Sequence, residues 1–287
     1  MTDYDIIIIG SGPAGLEAAI TSVIRHKKIL LLGQNDLSSK LRKAHIINNY
    51  LGFHDIHGPE LADRFTEHLQ SLNIEVTPKK AAAVYDMGDS FAVQSGAEMF
   101  QCKSVILATG VITKNLFPGE EELLGRGVSY CATCDAALYP DKTAIVISYS
   151  KNEEKEAEFL AEYAKKVIYI PMYDDPAISG DNVEIVSKKP LEILGEDSFT
   201  ALRTDDGDIP ADGVFILREN IAPDSLIPGI EMDQTHVIVK SDMSTNIPGV
   251  FACGDLTGPP YQFIKSAGEG NIAALSACAF IDSKKNV

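Results

Sequence analysis

A two-domain α/β fold follows from three features of this 287-residue sequence. An apolar, β-branched run at residues 4–9 leads directly into Gly10-Ser-Gly-Pro-Ala-Gly15 and then into a stretch with apolar residues at helical spacing. A second strand-helix-strand pattern opens at Thr143 without glycines at its turn. The strand-and-glycine style of the start then returns at Asn246-Ile-Pro-Gly-Val-Phe-Ala-Cys-Gly-Asp255. One domain interrupted by another is the simplest arrangement of these parts. The expected limits are 1–114 with 244–287 for the outer domain and 115–243 for the inserted one, with crossings near 113–118 and 241–247.

Each element has its own warrant. The continuous apolar run at 4–9 reads as a parallel strand buried on both faces. In the glycine turn, Gly10 allows the tight bend, Gly12 brings bare backbone to a pyrophosphate and Gly15 lets helix pack on strand. Pro13 falls in the first helical turn, where its missing N–H costs nothing. The helix start then offers free N–H groups and a positive dipole end to phosphate. The next strand, 28–32, ends at Gly33-Gln34, where such folds often carry an acid for the ribose; the nearest here is Asp36, slightly beyond. Leu61, Phe65 and Leu69 mark a packing helix. Strands are expected around 81–85, 91–94 and 99–102, and another at 105–107 running into Ala108-Thr109-Gly110.

The second pattern comprises a strand at 143–147, a helix at 153–164 and a strand at 167–170. Its turn reads Ser148-Tyr-Ser-Lys-Asn-Glu153. Tyr149 and Lys151 add bulk where a pyrophosphate needs bare backbone, and Glu153, Glu154 and Glu156 place negative charge at the helix start. Ser150 and Glu153 fit a capping box, in which the helix's own side chains take the N–H groups a phosphate would use. Beyond the next strand, where a 2′-phosphate needs arginines, stands Pro171-Met-Tyr-Asp-Asp175. The frame of a nucleotide domain is kept while its ligand chemistry is gone.

Between the two patterns lies Cys131-Ala-Thr-Cys134-Asp135. A CxxC can close a small disulfide and reopen it. The other readings are half of a zinc site or two unrelated buried thiols. Zinc would need further ligands, and Cys102, Cys253 and Cys278 each stand alone in apolar stretches.

Composition limits the partners. The formal charge of −16 repels nucleic acid and anionic membrane. It is also uneven: residues 113–242 hold 12 Lys/Arg against 26 Asp/Glu, leaving 13 against 15 elsewhere, as two domains with different surfaces would. The odd number of cysteines, five, argues against a secreted disulfide framework, and the opening apolar run is too short for a signal peptide or a membrane span. A cytoplasmic location is expected.

These residues, in order and spacing, resemble the low-molecular-weight thioredoxin reductases over nearly the full length. The resemblance runs through Gly10–Gly15, Asn49-Tyr50 before Gly52, Ala108-Thr-Gly110, Pro118-Gly-Glu-Glu, Gly125-Arg-Gly-Val-Ser, Cys131-Ala-Thr-Cys-Asp135 and Gly249-Val-Phe-Ala-Cys-Gly-Asp255. It implies a two-domain thioredoxin-reductase-like flavoprotein: a discontinuous Rossmann-like FAD-binding domain, a smaller inserted domain with the redox cysteines, and a homodimer. Carried over, Gly10, Ser11, Gly12, Pro13, Ala14 and Gly15 hold the FAD pyrophosphate, and Asp255 the ribityl or phosphate side. Asn49, Gln262, Lys40 and Leu41 surround the flavin, and Gln34, Ala108, Thr109, Gly110, Gly254 and Phe263 complete the cofactor set. As plain structure, Asp255 would cap a turn and Asn49 would make a loop hydrogen bond. By the same resemblance Cys134 faces the flavin, Cys131 attacks thioredoxin and Asp135 is the nearby acid.

Departures from the family narrow the expectation. The second glycine fingerprint and the arginines for NADPH are replaced, Ser38-Ser-Lys40 stands for a glycine-rich segment, Leu51 for a proline and Phe263 for a small residue. This combination most resembles the ferredoxin-dependent flavin thioredoxin reductases, a branch independent of pyridine nucleotides. It implies ferredoxin as donor, thioredoxin as acceptor and no NADPH site. The basic run Arg25, Lys27, Lys28, Lys40, Arg42 and Lys43 is a candidate docking patch for an acidic donor, with a solvated surface as the plain alternative. Rival readings are an NADPH-linked reductase with an atypical seat, a flavin redox sensor without turnover, and the same chemistry with another acceptor.

Overall fold

The computed structural model describes residues 3–35, 37–110, 117–120, 122–218 and 222–284, and it divides into two compact units, Met1–Thr113 with Ala222–Val287 and Lys114–Ile221. The first crossing expected from the sequence falls largely on 113–116, outside the described residues. The second lies at Ala222, earlier than the expected 241–247.

In the first unit β1 (Asp3–Ile9) enters the glycine turn and α1 (Pro13–Ile24) leaves it, with Pro13 at the first helical position. β2 (Ile29–Leu32) pairs in parallel with β1, Ile6 opposite Ile29 and Ile9 opposite Leu32. The single turn α2 (Ser39–Arg42) and α3 (Gly58–Ser71) follow, then β3 (Val76–Thr77), β4 (Ala83–Asp86), β5 (Phe91–Ser95) and β6 (Glu98–Leu107). Among the described residues the sheet order is β3-β2-β1-β6-β5-β4.

The strands expected at 99–102 and 105–107 are one strand, β6, whose partners change along its length. Its first half pairs antiparallel with β5, and its second half pairs with a strand from the far end of the chain. The polar pair between the halves does not break the strand, because both side chains are spent on fixed partners. Lys103 Nζ reaches Asp5 at 2.8 Å, and the buried Ser104 hydroxyl donates to the Gly249 carbonyl at 2.7 Å.

The second unit contains β7 (Val128–Ser129), the short helix α4 (Ala132–Asp135), β8 (Thr143–Ser148), α5 (Glu154–Ala161) and β9 (Lys166–Pro171). β10 (Val183–Ile185) joins the same sheet. β11 (Pro190–Gly195), β12 (Phe199–Thr204) and β13 (Gly207–Pro210) form an antiparallel sheet, and β14 (Gly213–Leu217) returns to the parallel one, whose order is β10-β9-β8-β14-β7. One face of the parallel sheet packs on Ala157 and Leu160 of α5, the other on Ile193, Phe199 and Leu202 of the antiparallel sheet.

The chain then rejoins the first unit through α6 (Pro223–Leu226), β15 (Met232–Asp233), β16 (His236–Val237), β17 (Val250–Ala252) and α7 (Phe263–Lys284). Residues 222–243 belong here because they are fastened here. Glu231 N–H donates to Asn246 Oδ1 at 2.9 Å, the Asn246 amide to Gly229 O at 2.8 Å, and Ala252 N–H to Met243 O at 3.1 Å. Their acidic composition, which resembles that of the inserted unit, had concealed this. Buried Ala14, Ala18 and Ala19 on α1 and Ala273, Ala274 and Ala277 on α7 share one core. Among the described residues no helix is long and apolar enough to cross a membrane.

Candidate functional site

The glycine turn of the first unit is built from close backbone approaches. A β-carbon on Gly10 would stand 2.2 Å from the Ala108 carbonyl oxygen, and one on Gly15 would stand 1.8 Å from that of Gly10. Gly10 also has φ of +121°, which favours glycine. Gly12, by contrast, faces open space, with nothing within 4 Å of where its β-carbon would be. It is the N-cap of α1, carries no side-chain cap, and no acid stands in the first helical turn. The turn thus presents bare backbone and an uncapped helix end, the combination that receives phosphate.

The buried Ser11 does not point outward. Its hydroxyl donates toward Gln34 O and Leu37 O and accepts from Gln34 N–H at 2.9 Å, tying the turn to the chain beyond β2. Ala108, Thr109 and Gly110 continue β6 beside the turn, and a β-carbon on Gly254 would meet Cβ of Ala14 at 2.8 Å. Asp255 accepts from the Ser266 hydroxyl at 3.0 Å. Gly10 to Gly15, Gln34, Ala108 to Gly110, Gly254 and Asp255 therefore gather around the carboxyl ends of β1, β6 and β17.

A second group of expected residues meets nearby in the chain's fold. Asn49 donates its amide to Gln262 Oε1, joining two loops far apart in sequence. Phe263 opens α7 and packs beside the cluster of Leu41, Ile47, Ile56 and Leu61. Leu41 is sealed in that cluster, so its side chain serves packing rather than contact with a ligand. Lys40 is exposed on α2.

The basic run at 25–43 does not form one patch. Arg25, Lys27 and Lys28 precede the amino end of β2, whereas Lys40, Arg42 and Lys43 follow its carboxyl end. Lys27 is also spent on Asp282 at 2.5 Å and Arg42 on Asp63 at 3.3 Å. Lys40 and Lys43 remain exposed.

In the second unit Cys131 and Cys134 form a disulfide, and both are half-buried. Cys131 is the N-cap of α4, and its Sγ accepts from Cys134 N–H at 3.1 Å. Asp135 Oδ2 accepts from the Ser129 hydroxyl at 2.6 Å, and that hydroxyl also receives Cys131 N–H at 3.2 Å. Glu156 Oε2 accepts from Ala132 N–H at 3.0 Å. The pairing of these thiols with each other leaves no zinc ligand in the motif. Among the described residues no group of three or more His, Cys, Asp or Glu is placed to hold a metal. Cys102, Cys253 and Cys278 are buried free thiols, and burial pushes all three up in pKa, Cys102 to about 12.

The turn after β8 is filled. The helix does not start from Ser150 as expected: Lys151–Glu153 makes a 3₁₀ turn, and α5 starts at an N-cap, Glu153, whose side chain makes no cap bond. The acids serve other partners: buried Glu154 accepts from the Tyr173 hydroxyl at 2.6 Å and from Ala177 N–H at 2.8 Å. Beyond the carboxyl ends of β8 and β14, the fully buried Glu120 carboxylate forks the Arg218 guanidinium. Arg218 lies 5.3 Å from the Tyr149 ring centroid and 5.9 Å from that of Phe117. Burial pulls the guanidinium down, but the Glu120 bond and charge hold it above its ordinary pKa.

Residues 4–149 match the family described as Pyridine nucleotide-disulphide oxidoreductase. The thioredoxin reductase of Aquifex aeolicus is 34% identical over 308 residues, covering 99% of this chain and 95% of its own. This chain belongs to the thioredoxin reductase family. Two solved structures, each of a ferredoxin-flavin thioredoxin reductase from Clostridium acetobutylicum, resemble the reductase throughout. One is 50% identical with a TM-score of 0.94, covering 100% of both chains; the other is 43% identical with a TM-score of 0.90, covering 98% of this chain and 99% of its own. The reductase is a flavin-dependent disulfide oxidoreductase, and its family implies FAD.

Sequence reasoning missed the bonds that Ser129 and Glu156 make around the CxxC, the pairing of Glu120 with Arg218, and the pair of Lys265 with Glu269 on α7. Only the last pair had a local signal, an acid four residues after a lysine on a helix.

Proposed function

We propose that the reductase takes electrons from reduced ferredoxin rather than from NADPH and delivers them, through the Cys131–Cys134 disulfide, to oxidised thioredoxin. The observation that carries this reading is the filled second turn. A nucleotide there would have to displace Tyr149, meet the buried Glu153 and Glu154, and enter a crevice already taken by the Glu120–Arg218 pair. The solved structures at 50% and 43% identity, named for ferredoxin, support the same donor. Exposed Lys40 and Lys43 offer an acidic donor a positive approach on the first unit.

The first-unit cradle fits FAD, with Gly10 to Gly15 toward the pyrophosphate, Asp255 toward the ribityl or phosphate side, and Asn49 and Gln262 toward the flavin. Bound flavin supplies the means to join a one-electron donor to a two-electron acceptor. The residues of the chain do the rest. Two electrons and two protons open the disulfide to two thiols. Cys131 is the attacking thiol, because the Cys134 N–H that reaches its sulfur stabilises the thiolate over the thiol. Its attack on the thioredoxin disulfide forms a mixed disulfide, which Cys134 displaces, closing the original bond and releasing a dithiol. Asp135, which accepts from the Ser129 hydroxyl, is the acid to which this reading assigns the proton.

The test is anaerobic mixing of the purified protein with reduced ferredoxin, NADPH or NADH while flavin absorbance is followed, then addition of thioredoxin. Bleaching by ferredoxin alone, with recovery on adding thioredoxin, is expected, and a particle of twice the chain mass by light scattering would show the proposed homodimer. Bleaching by NADPH overturns the choice of donor.

A further inference from the structure

Lys265 and Glu269 stand one turn apart on α7, with side chains 17% and 18% exposed. They do not behave as an ordinary surface pair. Lys265 Nζ donates to Gly254 O and Gly258 O, both at 2.8 Å, reaches Thr257 Oγ1 at 3.1 Å and lies 2.9 Å from Glu269 Oε2. The same Glu269 oxygen accepts from Gly254 N–H at 2.9 Å and from the Thr257 hydroxyl at 2.8 Å.

Every one of these bonds is charge-assisted, which makes it stronger than a neutral one, and several end on backbone that has no side chain of its own to hold it. The bonded points, Gly254, Thr257 and Gly258, bracket Asp255. Gly254 has φ of +82° and abuts Ala14, in the first turn of α1. Ser266, next to Lys265 on α7, holds the Asp255 carboxylate. The ammonium thus knits together the loop between β17 and α7 much as a bound cation would.

We infer that Lys265 and Glu269 are positioning residues for the cofactor: they fix the Gly254–Gly258 loop so that Gly254 and Asp255 are presented beside the Gly10–Gly15 turn. This rests on the reading of that turn and Asp255 as the FAD cradle.

The test is the rate at which holoenzyme releases FAD on dilution, read from the rise in flavin fluorescence, with melting temperature measured in parallel. Asp255→Ala is the benchmark for the cradle. Lys27→Met is the control, since it breaks another ion pair of α7, with Asp282, at the far end of the helix. The double variant K265M/E269Q is expected to release FAD about tenfold faster than the parent, as Asp255→Ala does, while Lys27→Met lowers the melting temperature and leaves release within about twofold. If the double variant does not fold, Glu269→Gln alone, which keeps an oxygen for Gly254 N–H, is expected to release FAD about threefold faster. Release at the parent rate from either variant, with Asp255→Ala fast, overturns the inference alone. Release at the parent rate from Asp255→Ala overturns the cradle reading beneath it.

Discussion

The turn at 10–15 and the turn at 148–153 share a frame: a buried parallel strand enters, a helix leaves, and the next strand pairs in parallel with the first. They differ in what occupies the bend. The first is bare at Gly12 and its helix begins without a cap or an acid. The second carries Tyr149 against Arg218, and Glu154 and Glu156 in the first turn of its helix. On the function proposed above, the second frame persists without the ligand of the first, because strands and helix are held by their apolar faces and only the turn answers to the ligand.

The largest effect should come from adding one methyl group to the first turn and removing a side chain from the second. In Gly15→Ala the new carbon would lie 1.8 Å from the Gly10 carbonyl oxygen, and backbone rather than a flexible side chain must give way. We expect a loss of about 3 kcal/mol or more with flavin absent from the purified protein. Ser150→Gly should cost no more than about 1 kcal/mol and leave flavin content unchanged. Equal losses, measured by thermal melting and by flavin absorbance per chain, would show that the two turns do not differ as described.

A smaller effect is expected at the crevice. Glu120→Leu leaves the Arg218 guanidinium without its buried partner, which should cost about 3 kcal/mol by urea unfolding. The double variant E120L/R218M removes both charges at similar volume, and replacements of this kind are often close to neutral. If the single and double variants lose the same stability, the two residues act as packing volume and not as a charge pair.

How much of this was legible in sequence depended on the separation of the partners. The first strand, its glycine turn and its helix follow from period and from three glycines within six residues, and the CxxC is equally local. The Glu120–Arg218 pair joins residues 98 positions apart, so neither residue signals the other. The bond from Ser129 to Asp135 was not legible because a serine six residues from an acid carries no pattern, and only the turn of the chain into α4 brings the two to 2.6 Å. The basic run at 25–43 shows the converse error: charges adjacent along the chain are separated by β2, which carries them to opposite ends of the sheet. The second crossing was misplaced because acidic composition reports surface, whereas residues 222–243 are held by backbone bonds to the first unit.

The effect that is smallest per step, read per pH unit, compares the two units through one of the three buried thiols of the first and a buried phenol of the second. Burial pushes the Cys102 thiol up to about 12 in the first unit. In the second, burial and then the charges of Asp135 and Asp212 push the Tyr139 phenol up to about 12. Both groups are raised in the folded state, so their contribution is complete below the unfolded pKa and is lost as pH rises toward the folded one. The thiol window opens at about pH 8.5 and the phenol window at about pH 10. Within its window each group should lower stability by about 1.4 kcal/mol per pH unit, because the unfolded chain ionises while the folded one does not. Urea unfolding at pH 7.5, 9.5 and 10.5 should show a flat region followed by decline, and Cys102→Ala should remove the part of the slope between pH 8.5 and 10 that this thiol contributes. A slope unchanged by Cys102→Ala would place the alkaline sensitivity of the first unit in another group.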